Sequence, residues 1–366
     1  MRLLQVITSF SIGGAEKLLL DSIPLFIEKG VKVDILILKK DSTPFIETLS
    51  KIKNINIIFL TKKSPYNPLL IFRLIPILKK YNIVHVHLFP AIYWVAIAGL
   101  FCKKNRTKFI LTEHNTHNKR RDHKILRPLE RFIYKQYDNV LSISLNTKTN
   151  LLNWLIDKYL DKQKFLIVEN GVLLNNFYDS KPYFKKELSG CLDEGDILLC
   201  MVGRLSKQKD QYTIIKCLEK LPSNIKLILV GDGENRMALT EFVDLNNLSD
   251  RVLFLGSRSD VPQILKTIDI CILSSHWEGF GLAAVEAMAS SKPIIASNVP
   301  GLAEVVNSYG LLFERGDYVH LSNLIIKLVS QKKYYEEVVD RCFERAKDFD
   351  IERMVEKQIS IYRLFN

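Results

Sequence analysis

Short, nearly unbroken apolar runs recur along this chain, separated by longer stretches in which apolar residues return every three or four positions. The runs have the length of buried strands and the stretches have helical spacing. The pattern predicts strands at Leu4 to Ser9, Lys32 to Leu38, Ile57 to Leu60, Ile83 to His87, Phe109 to Thr112, Val140 to Ser144 and Phe165 to Val168. A polar, linker-like stretch from Asp179 to Asp196 follows. The rhythm then restarts, with strands predicted at Ile197 to Val202, Lys226 to Val230, Val252 to Leu255, Ile270 to Leu273, Pro293 to Ala296 and Leu311 to Phe313. Helices are expected between them, among them Glu16 to Glu28, stopped by Gly30, and Asp210 to Glu219. Apolar strands alternating with helices imply parallel sheets covered on both faces. The expected fold is therefore α/β, with two doubly wound Rossmann-like domains facing each other across a cleft. Their expected bounds are 1–175 and 190–350, with the last helical stretch, Ile351 to Phe365, packing back on the first domain.

Length agrees with two domains, since 366 residues exceed what one ordinary core organises. With 47% hydrophobic and 25% charged residues, the chain is that of a folded globular protein. The longest apolar run, Leu88 to Cys102, is shorter than the roughly 18 to 20 residues a membrane span needs and reads as a buried helix. The start, Arg2 followed directly by a strand-like run, lacks the form of a secretion signal. The six cysteines are scattered, without a Cys-x-x-Cys pair, and read as reduced core residues of a cytoplasmic protein.

Charge divides the chain. Through Val172 there are 28 Lys and Arg against 13 Asp and Glu, and beyond it 24 against 27, so the formal net charge of +12 belongs to the first half. Much of the excess lies between Lys103 and Lys135, where bases alternate with Leu, Ile and Phe. Such a surface suits an anionic membrane or a phosphorylated acceptor, and it equally describes an ordinary solvated helix face. No nucleic-acid motif accompanies it, so nucleic acid is not an expected partner.

The chemistry concentrates in the second half. In Ser274 to Ser297 a strand end leads into Glu278-Gly-Phe-Gly281 and then a helix from Leu282 that carries Glu286. Glycines let backbone amides approach a ligand, and a helix start favours phosphate, so this is a candidate diphosphate cradle. Glu286 is placed to accept hydrogen bonds from a ribose diol. A glycosidase pair is the rival reading. Eight helical residues would separate the two backbones by about 12 Å, however, against the roughly 5 to 9.5 Å between the carboxyls of such pairs. Two separate tasks fit better. The segment Gly203-Arg-Leu-Ser-Lys-Gln-Lys-Asp210 follows the first strand of the second domain and brings Arg204 and Lys209 toward the same diphosphate. Fixed cations there would stabilise a departing diphosphate without a metal.

The first half offers weaker signals. Gly13-Gly14 joins a strand to a helix as a plain tight turn or a phosphate loop. His114 and His117 follow a strand, where either could bond a sugar hydroxyl or a phosphate oxygen, or simply pack. His85 and His87 share one face of a strand end and read as packed rather than zinc-binding, for want of further ligands. Gly231-Asp-Gly233 lacks the third glycine of a dinucleotide fingerprint, Arg236 standing there, which removes the main support for hydride chemistry. Asp348-Phe-Asp350 imitates a metal-binding acidic triplet but falls between two expected helices and reads as their boundary.

Together these motifs resemble glycosyltransferase family 4, retaining enzymes of the GT-B fold. The resemblance runs through Gly13-Gly-Ala-Glu16, His85-Val-His87, Thr112-Glu-His114, Glu169-Asn-Gly-Val172, Gly203-Arg-Leu205, Gln208-Lys-Asp210, Gly231-Asp-Gly233, Glu278 to Glu286 and Pro300-Gly-Leu-Ala-Glu304. It implies that Arg204 and Lys209 hold the donor diphosphate and that Glu286 holds the ribose. Glu278 and the backbone at Phe280 and Gly281 would contact the transferred sugar and its phosphates, with Gly203 and Leu282 completing the donor contacts. His114 would lie beside the anomeric centre and Gly14 near the diphosphate. It also implies reaction on one face of the sugar, with no protein nucleophile and neither metal nor other cofactor. Leu173 stands where an aspartate is common, and the Gly13-Gly14 loop lacks a longer glycine run.

The function expected from the sequence is transfer of one sugar from a nucleotide diphosphate sugar to a glycan acceptor on a polyprenyl diphosphate. The setting would be bacterial surface polysaccharide assembly, at the inner face of the plasma membrane. A nucleotide-sugar epimerase of the same fold and a non-catalytic nucleotide-sugar-binding protein are the rival readings.

Overall fold

The computed structural model describes residues 1–11, 13–102, 107–116, 118–155 and 161–365. The chain divides into two compact units, Met1–Gly171 with Ile351–Asn366, and Val172–Asp350. In the first, strands β1 (Arg2–Ile7), β2 (Lys32–Lys39), β3 (Ile57–Thr61), β4 (Ile83–His87), β5 (Lys108–Glu113), β6 (Asn139–Ser142) and β7 (Phe165–Ile167) form one sheet in the order β3-β2-β1-β4-β5-β6-β7. In the second, β8 (Ile197–Val202), β9 (Ile225–Val230), β10 (Val252–Gly256), β11 (Ile270–Leu273), β12 (Ile294–Ser297) and β13 (Leu311–Phe313) form a sheet in the order β10-β9-β8-β11-β12-β13. Every pair in both sheets is parallel.

The strands expected from the apolar runs all form, because a strand covered on both faces buries nearly every side chain and so reads as a continuous run. Two local departures have clear causes. β6 stops at Ser142 rather than Ser144, because the Ser144 hydroxyl accepts the backbone N–H of Thr147 at 3.1 Å and starts the helix Leu145–Leu155. The stretch from Asp179 to Asp196 is not a free linker. It contains a short helix, Lys185–Leu188, and buries Leu188 and Leu192 in the second unit, while the Tyr183 hydroxyl donates to Asp260 at 2.8 Å. Its few apolar anchors are too widely spaced to show a period.

The helix Gly14–Glu28 ends where Gly30 takes a positive φ of 77°, its N–H bonding the Ile27 carbonyl and that of Val31 the Phe26 carbonyl. Against it lies the final helix Ile351–Arg363, which buries Ile351, Val355, Ile359 and Tyr362 at helical spacing. The Phe26 and Tyr362 rings pack at 6.0 Å, and Lys29 meets Glu356 at 2.7 Å. The long apolar run forms the buried helix Ala91–Gly99, and no helix among the described residues is long and apolar enough to cross a membrane. Five cysteines are buried, as expected. Cys191 is exposed instead, because it sits in a polar turn outside any strand or helix.

Candidate active site

In each sheet the strand order reverses at one point, and the loops leaving the carboxyl ends of the two central strands diverge there to leave a crevice. In the second unit this point lies between β8 and β11. The loops in question are 203–210 and 274–281, those that carry Arg204, Lys209 and Glu278.

Glycines set the backbone of these loops. A Cβ at Gly231 would stand 2.0 Å from the Gly203 carbonyl oxygen, and one at Gly233 would stand 2.3 Å from that of Leu205. The pair that mimics a dinucleotide fingerprint is thus the surface on which the 203–205 loop rests. Gly301 has a φ of 84°, and a Cβ there would come within 2.5 Å of the Glu278 carbonyl oxygen, so the Pro300-Gly301 turn supports the second loop in the same way.

The loops are also tied to each other. The His276 N–H donates to the Gln208 carbonyl at 2.7 Å, and the Gln208 side-chain amide donates to the Trp277 carbonyl at 2.9 Å. The Ser274 hydroxyl donates to the Asp210 carbonyl at 2.7 Å. Asp210 takes a left-handed conformation, φ 52°, where the helix Gln211–Cys217 begins, and its carboxylate accepts from Thr213 at 2.6 Å.

Across this frame the Lys209 ammonium donates to the Glu278 carboxylate, which also accepts from the Ser275 hydroxyl at 2.8 Å. Both partners are largely shielded, with 18% and 8% of their side chains exposed. Arg204 reaches into solvent and pairs with Glu234 at 3.0 Å. The helix Leu282–Ala289 starts from Gly281, whose φ is 96° and which offers no side chain to cap the amides of the first turn. The Phe280 ring is buried edge-to-face on Phe349 at 5.2 Å, which leaves its backbone as the part that can meet a ligand.

Glu286 rides on the second turn of that helix, half-buried, and is close enough to Cys271 to add to the burial that pushes the thiol's pKa up. Glu278 is thus committed to Lys209 and Ser275, while Glu286 stands on a separate element.

In the first unit the reversal lies between β1 and β4. Gly14 is the first residue of its helix, and the turn before it wraps Glu16, whose Oε2 a Cβ at Gly13 would meet at 2.5 Å. Burial raises the Glu16 pKa, opposed by its own backbone amide and by Ser11. The Glu16 carboxylate thus lies against the turn that precedes Gly14.

Past the end of β5, His114 Nε2 lies 2.9 Å from His87 Nδ1, and His87 Nε2 lies 2.9 Å from Gln5 Oε1. His85 is held by Tyr362 at 2.6 Å and Thr112 at 2.7 Å. Burial and neighbouring imidazoles push His85 down to about 3 and His87 well below the ordinary range, while burial alone takes His114 to about 4. The strand-end pair is packed, as its pattern suggests. Among the described residues no cluster of three or more His, Cys, Asp or Glu is arranged to hold a metal.

Behind His114, the Glu113 carboxylate accepts from Arg121 at 2.8 Å and from the Tyr134 hydroxyl, all three buried. Asp348 and Asp350 fall at the boundary between the helices Lys332–Ala346 and Ile351–Arg363. His117 and residues 103–106 of the basic segment lie outside the described residues. Asp210 enters from the sequence as the last residue of the Gln208-Lys-Asp210 motif. Gln5 and Ser275 are not singled out there. Gln5 alone carried a signal, a polar residue in the middle of an apolar strand run.

The sheets and the paired loops define a glycosyltransferase of the GT-B fold. The chain belongs to glycosyltransferase family 4: residues 12–175 match the model described as "Glycosyltransferase Family 4", and residues 186–347 match "Glycosyl transferases group 1". It is 28% identical over 312 residues to the N-acetyl-alpha-D-glucosaminyl L-malate synthase of Bacillus anthracis, covering 81% of this chain and 79% of that protein. It is 33% identical over 185 residues to the UDP-Gal:alpha-D-GlcNAc-diphosphoundecaprenol alpha-1,3-galactosyltransferase of Escherichia coli, covering 48% of this chain and 47% of that protein. The crystal structure of Anabaena HepE in complex with UDP and glucose superposes with a TM-score of 0.84 at 20% identity over 99% of both chains, a likeness of fold.

Proposed function

We propose that this glycosyltransferase moves one sugar from a nucleotide diphosphate sugar to a glycan acceptor carried on a polyprenyl diphosphate, with retention of anomeric configuration. The setting is bacterial surface polysaccharide assembly, with the protein in the cytoplasm and bound peripherally to the inner face of the plasma membrane. The observation that carries the donor half is the Lys209–Glu278 pair joining the two loops at the sheet reversal, beside an uncapped helix start.

Lys209, Arg204 and the leading amides of the helix from Leu282 would take up the charge of the leaving diphosphate, which is why the reaction needs no metal. Glu286 would accept the ribose hydroxyls. Glu278 would orient the Lys209 ammonium and meet the sugar, with Gly203, Phe280 and Gly281 supplying backbone contacts. His114, neutral and close to a reversal point of its own sheet, would bond a sugar hydroxyl. The leaving phosphate oxygen would take the proton of the incoming hydroxyl on the same face of the sugar, so no protein nucleophile is required. The acceptor half is supported by the galactosyltransferase relative, whose acceptor is a GlcNAc-diphosphoundecaprenol. Membrane binding is supported by Ile125, Leu129 and Phe132, exposed along one basic segment with Lys124, Arg127 and Arg131.

The test is product analysis with a polyprenyl-diphosphate-linked acceptor in the presence of EDTA. The expected product carries one added sugar whose anomeric proton coupling matches that of the donor. An inverted product, an epimerised nucleotide sugar, or activity that vanishes with EDTA and returns with a divalent cation would contradict the reading.

A further inference from the structure

We propose that Gln5 and His87 are positioning residues that set the tautomer of His114, so that its ring offers Nδ1 as a hydrogen-bond acceptor to a hydroxyl of the bound sugar. The sugar's presence at His114 rests on the function proposed above; the tautomer does not.

The chain of bonds begins at an atom whose role is fixed. Gln5 Oε1 is a carbonyl oxygen and can only accept, so His87 Nε2, 2.9 Å away, carries a proton and donates. A neutral imidazole holds one ring proton, so His87 Nδ1 has a bare lone pair. His114 Nε2, 2.9 Å from it, must then donate. That places the single proton of the neutral His114 ring on Nε2 and leaves Nδ1 an acceptor. Nδ1 makes no hydrogen bond to any described residue. Desolvation favours the neutral form of both rings, His87 fully buried and His114 half-buried, reinforced at His87 by the His85 ring at 4.4 Å.

The orientation of Gln5 anchors the argument. Its Oε1 faces the His87 ring at 2.9 Å, and the Tyr362 hydroxyl beyond is taken up by His85 Nδ1 at 2.6 Å and by Gln358 Oε1 at 3.1 Å. Gln5 Nε2 is buried without a hydrogen-bond partner, and the side chain's polar contact among the described residues is the one its carbonyl oxygen makes to His87. The alternation of β4 and the register of the sheet make the arrangement possible. Gln5 pairs with His85 across β1 and β4, and His87, two residues on, projects from the same face. A ring fixed in this way selects a ligand group that donates. A hydroxyl satisfies it, whereas a deoxy position or an ether oxygen leaves Nδ1 desolvated and unmet.

Two-bond 1H–15N spectra of the full chain labelled with 15N-histidine test the tautomers directly, with His87 and His114 assigned from the signals lost in His87→Asn and His114→Asn. Both rings should show the Nε2–H pattern at pH 7. An Nδ1–H pattern at either ring, or a doubly protonated ring, overturns the proposal. Kinetics test the positioning role. His87→Leu should lower kcat at least tenfold while the Kd for the nucleoside diphosphate stays within twofold. His87→Asn, which keeps an acceptor near the former Nδ1, should recover most of the loss. His87→Leu with wild-type kcat, or His87→Asn no better than His87→Leu, overturns it as well. If the spectra are as expected and no nucleotide sugar is turned over, the proposed function fails and the tautomer assignment stands.

Discussion

At the residue scale the packing of the proposed donor loops shows why small substitutions there should act on binding. Gly231 has a φ of 133° and lies under the Gly203 carbonyl, so Gly231→Ala must push the 203–205 backbone aside. Calorimetry should show nucleoside diphosphate affinity weakened at least tenfold, and an unchanged Kd would contradict the packing argument. Lys209 and Glu278 touch, so their substitutions should not add. Lys209→Ala is expected to lower kcat by about 10²–10³, the usual scale for a lost electrostatic partner of a developing anion. The double variant with Glu278→Gln should be little worse than Lys209→Ala alone, and fully multiplicative losses would place the two residues in independent roles. Glu278 and Lys209 stand out in the sequence as charges in glycine-containing loops at the ends of apolar strands, and the structure brings these two together. Ser275 is not legible, since a single serine makes no pattern and its bond to Glu278 exists only once the loop is folded. Asp210, the end of the Gln208-Lys-Asp210 motif, shows its tie to Ser274 on the neighbouring loop only in the fold.

At the scale of elements, the apolar runs map onto strands closely because buried parallel strands have no polar face to interrupt them. What escaped the pattern is the segment from Asp179 to Asp196, whose anchoring depends on single residues such as Tyr183 and Leu192 rather than on a period. The helix Arg127–Lys135 and the turn before it combine exposed Ile125, Leu129 and Phe132 with basic neighbours. This surface makes the membrane proposal testable. Sedimentation with vesicles containing phosphatidylglycerol should pull the protein down at low salt and release it as salt rises. Replacing Ile125 and Phe132 with Glu should reduce the bound fraction several-fold without altering donor turnover in solution. Binding indifferent to salt, to lipid charge and to these substitutions would remove the membrane from the account.

At the scale of the whole molecule, two buried imidazoles, His85 and His87, and the half-buried His114 beside them make the stability of the first unit depend on pH. His85, His87 and His114 all have folded-state pKa values below the ordinary 6.5, His85 near 3 and His114 near 4. Between those values and 6.5 the unfolded chain binds more protons than the folded one. Stability is therefore greatest above pH 6.5 and falls as pH drops, by up to about 1.4 kcal/mol per pH unit for each histidine. Denaturant unfolding should give a clearly lower midpoint at pH 5 than at pH 7.5, and His85→Gln should flatten that slope. Equal midpoints in the wild type would contradict the buried neutral rings. The two-unit organisation was legible because the strand–helix rhythm restarts once, whereas the imidazole network was not, since it joins β1, β4 and β5 across the sheet rather than along the chain. The central claim is that loops 203–210 and 274–281, with the helix that follows, hold a nucleotide diphosphate sugar. Its most direct test is binding and turnover of a panel of UDP-, GDP- and ADP-sugars by the wild type, Lys209→Ala and Glu286→Ala. The account predicts that one nucleotide class is bound and slowly hydrolysed by the wild type and that both variants lose this. Absence of binding across the panel, or variants that match the wild type, would contradict it.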